Sequence, residues 1–255
     1  MAAVEQLLRG FELHSEEVIR HALADGADPR GRIDGKAPIQ ILVEMYNRSS
    51  RFAACLRVMI EAGGGLNDPG LEAVLLDDVS QLQAALNADP ESIHRMRWLD
   101  CAYTSLRGVS LLHVAAEYNS VKSTQALLAK GIAVDIPAAL DAEGLGGQTP
   151  IFHAVNSNHN NSRQVMEVLV EAGASLDIRL KGIVWGAGFE WETAIYDASP
   201  ISYAQCGLYF QFHRPEAQVY SNLDCLYQKR YGSPLRVRNV PNQYLSDDRV
   251  FPPRT

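Results

Sequence analysis

The chain contains few cysteines, no long apolar run and no secretion signal. No stretch reaches the ~18 apolar residues that a membrane-spanning helix needs, and Met1–Gly10 lacks the basic and apolar segments of a signal peptide. The four cysteines lie far apart without a C-x-x-C pair, which predicts buried thiols in a reducing compartment. They are Cys55, Cys101, Cys206 and Cys225. These absences predict a cytoplasmic protein without a metal, a cofactor or a membrane partner.

Motifs that carry catalysis are also missing. The sequence has no phosphate-binding loop with G-K-[ST], no G-x-S-x-G, no H-E-x-x-H and no EF-hand loop. Gly144–Gly147 is glycine-rich, but no Lys-Ser/Thr pair follows it, so it is typical of a lengthened turn. No catalytic residue is therefore predicted.

Charge is unevenly distributed along the chain. The net charge is −7, yet residues 1–228 hold 17 of the 23 basic and 28 of the 30 acidic residues, a local net charge of −11. An acidic body disfavours nucleic acid as a partner and favours a protein with a basic surface. Ordinary surface charge for solubility is the alternative.

One motif is typical of a turn followed by a pair of helices. It opens with G-Q-T-P-I-F-H-A at Gly147–Ala154 and continues in an apolar helical pattern at Val165–Val170. Thr149 is predicted to cap the first helix with its hydroxyl, and Pro150 to occupy its first position. Gly173 is predicted to end the second helix with a positive φ.

The motif recurs along the chain. The openings begin near positions 38, 69, 111, 150 and 200, and Val4–Arg9 is expected to form a truncated first helix. Second helices are predicted at Leu82–Leu86 and Glu216–Tyr231, and Val18–Pro29 is predicted to be a second helix with its closing turn. Met59–Gly63 and Leu127–Gly131 are predicted to close two further units. Polar residues at Tyr46–Ser50 lengthen one inter-helix turn.

These motifs resemble the ankyrin repeat, whose consensus opens with G-x-T-P-L-H-x-A and closes with L-L-x-x-G-A. The resemblance covers residues 4–232. It implies an all-α, ankyrin-type solenoid of about six stacked helix pairs with one long β-hairpin insertion. We expect the array to span residues 1–232 and a non-repeat tail to span 233–255, either extended along the last pair or partly disordered. The resemblance implies protein recognition without catalysis.

The lengthened loop at 181–197 is the first candidate for partner binding. It is predicted to form a hairpin with its tip at Gly186–Gly188. Alternation along Phe189–Thr193 would place rings on one face and carboxylates on the other. Exposed aromatic rings commonly anchor protein interfaces. Alternatively, the rings cover the core of the last repeat. The candidate residues are Trp185, Phe189, Glu190, Trp191, Glu192, Tyr196 and Asp197.

The inner groove of the array is the second candidate. Phe152 takes the position where the family has histidine, which moves His153 to a position that faces the groove. His113 keeps the family position and is expected to be structural. A solvated helix face without a partner is the alternative. The predicted groove residues are Glu72, Val114, His153 and Tyr203, followed one turn later by Glu117, Tyr118 and Asn156.

The irregular repeats look more like bacterial ankyrin proteins than like long eukaryotic arrays. Some bacterial members are similar to immunity proteins that neutralise a toxin, and an acidic groove would suit a basic active site. We therefore expect a monomer or a one-to-one complex with a protein partner. The alternatives are a general adaptor or host-directed effector, and an enzyme that uses Glu190 and Glu192. A hairpin tip open to water is poorly suited to raising the pKa of one carboxylate for acid catalysis.

Overall fold

Helices make up most of this protein. The computed structural model describes residues 2–101, 103–104 and 106–238; these residues are mostly helical (51%), with two small antiparallel sheets. The prediction of a mostly helical protein is confirmed. One sheet is the hairpin predicted at 181–197, whereas the other, within residues 97–109, was not predicted. Over the described residues the α-helices are α1 (Ala2–Leu13), α2 (Glu16–Ala24), α3 (Pro38–Glu44), α4 (Phe52–Glu61), α5 (Pro69–Leu75), α6 (Val79–Ala88), α7 (Leu111–Glu117), α8 (Val121–Ala129), α9 (Pro150–Val155), α10 (Arg163–Glu171), α11 (Pro200–Gln205) and α12 (Glu216–Tyr231).

Proline begins four of the first helices of these pairs, namely α3, α5, α9 and α11. Proline suits the first helical position because its φ is already helical and its missing N–H would have no partner there. Pro150 is confirmed in this role. Thr149 does precede the helix, but its hydroxyl makes no capping hydrogen bond and is buried without a partner. The predicted side-chain cap at Thr149 is therefore wrong.

Consecutive helices pack as pairs, the first pair contacts the second, and the third to sixth pairs stack in order. The first helices α5, α7, α9 and α11 pack in succession, as do the second helices α6, α8, α10 and α12. Two inter-helix turns strengthen this stacking. Asp77 accepts a hydrogen bond from the Ser123 N–H (2.7 Å), and Asn119 accepts one from the Val165 N–H (3.3 Å). Each turn therefore caps the second helix of the next pair.

The first of the helix pairs differs from expectation, whereas the described part of the tail lies along the last pair as one of the two alternatives predicted. The first helix is not truncated to Val4–Arg9, because α1 spans Ala2–Leu13 and packs on α2. Beyond α12, the Leu235 N–H donates to Asp224 and Arg238 pairs with Glu216 at 2.9 Å. Residues up to 238 thus contact the last helix, and the rest of the predicted tail, 239–255, lies outside the described residues.

Three hairpin-like fingers connect the later pairs. The first finger contains β1 (Arg97–Leu99) and β2 (Leu106–Val109), the second spans residues 138–148, and the third contains β3 (Leu180–Trp185) and β4 (Thr193–Ala198). Only the third was predicted as a hairpin. Backbone hydrogen bonds of 2.9 Å join the fingers: Ala139 N–H to Gly108 O, Gly146 N–H to Gly182 O, and Gly186 N–H to Tyr103 O.

Candidate functional site

The third finger packs its largest side chain into the protein. Trp185 is only 6% exposed. Its ring stacks on Phe212, with centroids 4.5 Å apart, and on Tyr103 at 5.3 Å. Side chains alternate across a strand, so Ile183 and Trp185 share the inward face of β3. The prediction that Trp185 is displayed is therefore wrong, because this ring covers the last helix pair.

The fingertip, residues 186–192, is a turn and not a continuing strand. Pairing ends at Trp185 and Thr193, so the predicted alternation of rings and carboxylates along Phe189–Thr193 is wrong. Phe189 stacks on Trp191 at 4.8 Å, and these rings stay 45% and 41% exposed. Glu192 turns back to accept a hydrogen bond from the Gly188 N–H at 2.8 Å.

The outer surface of the three fingers carries further exposed apolar side chains. Trp98 of the first finger and Leu140 of the second are each 64% exposed, and both line a depression of about 410 Å³ with Val184 of the third. Tyr196, also 64% exposed, pairs in register with Gly182 and therefore lies on the same face as Val184. We call Trp98, Leu140, Val184 and Tyr196 the finger face.

Sequence reasoning missed Trp98 and Leu140. Trp98 belongs to a strand of only three residues, too short for a period of two to be recognised. Leu140 directly precedes Asp141, whose carboxylate accepts hydrogen bonds from the Glu143 and Leu145 N–H groups. That turn pattern was the available signal for the second finger.

Carboxylates outnumber cations around the finger face. Asp141, Glu143, Glu190 and Glu192 are all exposed on the second and third fingers. Of the two nearby cations, Arg107 is paired with Asp100 at 3.2 Å, and Lys181 donates to the Glu143 carbonyl. The depression thus has Trp98, Leu140 and Val184 in its wall together with two carboxylates, Asp141 and Glu192, and one cation, Arg107.

The predicted groove residues meet in the interior instead of facing solvent. His153, Tyr203 and Val114 are buried, and the Glu117 carboxylate is only 10% exposed. They are covered by the turn at 45–51 and the segment 206–214, which cross the inner side of the helix pairs. The expectation that these residues are displayed in an open groove is wrong for this reason.

Glu117 joins two cationic or titratable groups in this interior. Its carboxylate accepts from Arg48 Nε (3.2 Å) and from His153 Nδ1 (3.2 Å). Burial alone would raise the pKa of Glu117, but the His153 hydrogen bond and the Arg48 charge outweigh it, so the pKa lies below its usual value. Glu117 is thus held ionised between Arg48 and His153.

Other predicted residues have structural partners. Tyr118 donates to the Val43 carbonyl, and the Arg48 guanidinium lies 4.4 Å from the centre of its ring. Asn156 donates to the Tyr203 carbonyl at 3.1 Å. Asp197 forms an ion pair with Arg179 across the base of the third finger. Glu72 is half-buried on α5 and does not join the other predicted groove residues around Glu117 and His153.

His113 has the structural role expected of it. The Ser110 N–H donates to His113 Nδ1 (3.1 Å), Ser110 Oγ accepts from the Leu112 N–H, and His113 Nε2 bonds the Gln148 carbonyl at 2.8 Å. Burial first, and then the neighbouring His153, lowers the pKa of His113 to about 3. The neutral ring thus ties α7 to the chain entering α9.

The described residues hold neither a metal-binding cluster nor a membrane-spanning helix. They contain no group of three or more His, Cys, Asp or Glu side chains placed to hold a metal ion. None of the helices described is both long and apolar enough to cross a membrane.

Residues 146–181 match the family model of the ankyrin repeat. This segment contains α9 and α10, the pair whose T-P-I-F-H-A opening begins at Thr149. Ankyrin repeats mediate protein–protein interaction and are generally non-enzymatic. No curated protein matches the chain. The fifth helix pair and the start of the third finger are therefore an ankyrin repeat.

Proposed function

We propose that this protein binds another protein through its finger face and fingertip and catalyses no reaction. The observation that carries this proposal is the exposure of Trp98, Leu140 and Tyr196 on one side of three hydrogen-bonded fingers. Contiguous exposed apolar side chains with a polar rim are typical of interaction sites. Tryptophan and tyrosine are also the residues that most often dominate binding energy.

The surrounding charge supports a partner with a basic surface. Asp141 and Glu192 line the same depression as Trp98 and Leu140, Glu143 and Glu190 are exposed on the same two fingers, and residues 1–228 carry a net charge of −11. Complementary charges accelerate association and select against acidic partners. We further propose that all six helix pairs are ankyrin-type repeats that hold the fingers in place as a rigid scaffold.

The specific function that we propose is neutralisation of a toxic bacterial protein in a one-to-one complex. Binding an acidic and aromatic surface over a basic active site would inhibit such a partner. The alternative is an adaptor or effector, which would bring its partner to a third protein without inhibiting it.

The test of recognition compares two variants in affinity purification followed by calorimetry with the purified partner. Trp98→Ala with Leu140→Ala removes the centre of the finger face and is expected to weaken binding at least about 100-fold. Phe210→Ala is the matched control, because Phe210 is 88% exposed but lies on the 206–214 segment, outside the finger face. Equal affinity of the double variant and the wild type would contradict the proposal.

The charge and the outcome of binding are tested separately. Glu190→Gln with Glu192→Gln is expected to slow association and reduce its dependence on salt. Neutralisation predicts that one equivalent of this protein abolishes the activity of the purified partner. A partner that stays fully active in the saturated complex would instead identify an adaptor.

A further inference from the structure

A cavity of about 190 Å³ lies between the helix pairs and the segments that cover them. Its walls include the rings of Tyr46, Tyr103, Phe152, Trp185, Tyr203 and Phe212. The rim residues Tyr46, Tyr103, Gln211 and His213 are exposed, so the cavity opens to solvent on that side. This cavity, which we call the inner cavity, is separate from the finger face.

The wall of the inner cavity holds more positively than negatively charged side chains. Arg48, Arg214 and Glu117 all line the inner cavity. Glu117 is committed to Arg48 and His153, whereas Arg214 donates to the Asn156 and Phe212 carbonyls and to Asn158 Oδ1. Among the residues that the structure describes, no carboxylate lies within ion-pair distance of Arg214. The wall therefore carries an excess positive charge, and charges removed from water are normally paired.

His153 leaves one polar atom of this interior without a partner. Its side chain is 1% exposed, lines the inner cavity and has no hydrogen-bond partner at Nε2. Buried polar atoms are normally hydrogen-bonded. Nδ1 is bonded to Glu117 and Nε2 is enclosed by protein, so the charge in the wall that a ligand can meet is that of Arg214.

We propose that the inner cavity binds a small aromatic carboxylate. A cavity of roughly 150 Å³ accommodates benzene, so 190 Å³ suits a single ring that bears a carboxylate. The aromatic walls contact the ring. Four of the five guanidinium N–H groups of Arg214 already donate to protein oxygens, so the carboxylate takes the remaining Nη2 N–H together with the positive charge.

The primary test uses benzoate as the probe on the wild-type protein. Calorimetry is expected to give saturable binding with a Kd below about 1 mM, and a co-crystal structure is expected to place the carboxylate at Arg214. Benzamide, the neutral isostere, is expected to bind at least about tenfold more weakly, because it lacks the charge. Absence of benzoate binding, binding elsewhere, or equal affinity for benzamide would overturn the proposal.

A pair of variants tests the role of Arg214. Arg214→Gln is expected to reduce benzoate affinity about tenfold or more. Arg107→Gln removes an exposed arginine that lies outside the inner cavity and is expected to bind like the wild type. Unchanged affinity in folded Arg214→Gln would contradict the assignment. If that variant does not fold, the comparison of benzoate with benzamide on the wild type decides whether the inner cavity prefers a carboxylate.

Discussion

Two tryptophans on neighbouring fingers lie in opposite environments. Trp185 stacks between Phe212 and Tyr103, whereas Trp98 leaves most of its ring in solvent. Both belong to short strands, so their local structure does not distinguish them. The difference arises because segment 206–214 covers one side of the third finger, and no described segment covers Trp98 in the same way.

Replacing these residues should separate stability from recognition. Trp185→Ala is expected to lower the free energy of unfolding by about 3–5 kcal/mol, because it leaves a cavity among stacked rings. Trp98→Ala is expected to change it by no more than about 0.5 kcal/mol. Urea unfolding followed by circular dichroism measures both. Comparable losses would show that Trp98 is packed and would weaken its assignment to a binding surface.

A buried histidine predicts a dependence of stability on pH. Burial first, and then the charges of Arg48 and Arg51, lowers the pKa of His14 to about 4 in the folded state. The unfolded chain therefore takes up a proton at His14 between pH 6.5 and 4 while the folded protein does not. The free energy of unfolding therefore falls as the pH drops below 6.5. His14 alone should lower it by about 3 kcal/mol at pH 4. His113 adds a loss of the same sign.

The measurement is urea unfolding at intervals from pH 7 to pH 4 for the wild type and His14→Gln. Glutamine can keep a hydrogen bond to Ser49, the partner of His14 Nδ1, but does not titrate. The variant should lose less stability on acidification than the wild type. Parallel pH profiles would rule out His14 as a source of the acid sensitivity.

Residue roles were predictable from sequence where they depend on local contacts. His113 keeps the position of the family's histidine, so its role was expected from that resemblance, and its partner Ser110 lies only three residues away. The partners of Glu117 could not be read in this way, because Arg48 lies 69 residues away and His153 36 residues away. Burial of Trp185 likewise depends on Phe212, which no motif had singled out.

The three fingers form one composite element through their shared hydrogen bonds. Gly108 has a φ of +60°, and a Cβ there would lie 2.2 Å from the Ala139 Cβ. Only glycine therefore allows the first and second fingers to approach each other. The third finger was recognisable from its β-prone runs, whereas its hydrogen bonds to the other fingers join segments far apart in the sequence.

Gly108→Ala is expected to separate the first two fingers. The Ala139 amide, which donates to Gly108 O, should lose its protection against hydrogen exchange. Gly131→Ala is the matched control, because Gly131 has a φ of +86° but no atom within 4 Å of a Cβ. The control should show only the backbone cost of about 1–2 kcal/mol. Unchanged exchange at Ala139 in Gly108→Ala would contradict the close contact.

Across the whole molecule, one turn links helix pairs that are not adjacent. The turn at 45–51 belongs to the second pair, yet Arg48 binds Glu117 of the fourth pair and its carbonyl accepts from Asn161 in the fifth. A stack held only by neighbour contacts would lack this connection. The sequence indicated a lengthened turn here and nothing about where it lies.

Arg48→Met should weaken this connection while keeping much of the side-chain volume. It leaves the Glu117 carboxylate buried with His153 as its remaining side-chain partner, so a loss of about 3 kcal/mol is expected. In the variant, the amides of α3 and α4 should then be less protected from hydrogen exchange than those of α7 and α9. In the wild type we expect the four helices to show the same protection. Identical protection patterns in the two proteins would mean that the turn does not couple these pairs.

The turn at 45–51 also has a mechanical consequence. When the ends of an ordinary helical stack are pulled apart, the pairs can peel away one after another at low force. In this protein the applied force would first act on the Arg48–Glu117 and Arg48–Asn161 contacts. These contacts connect the second pair to the fourth and fifth. We therefore expect the second to fifth pairs to unfold together in a single event under force, and not one after another.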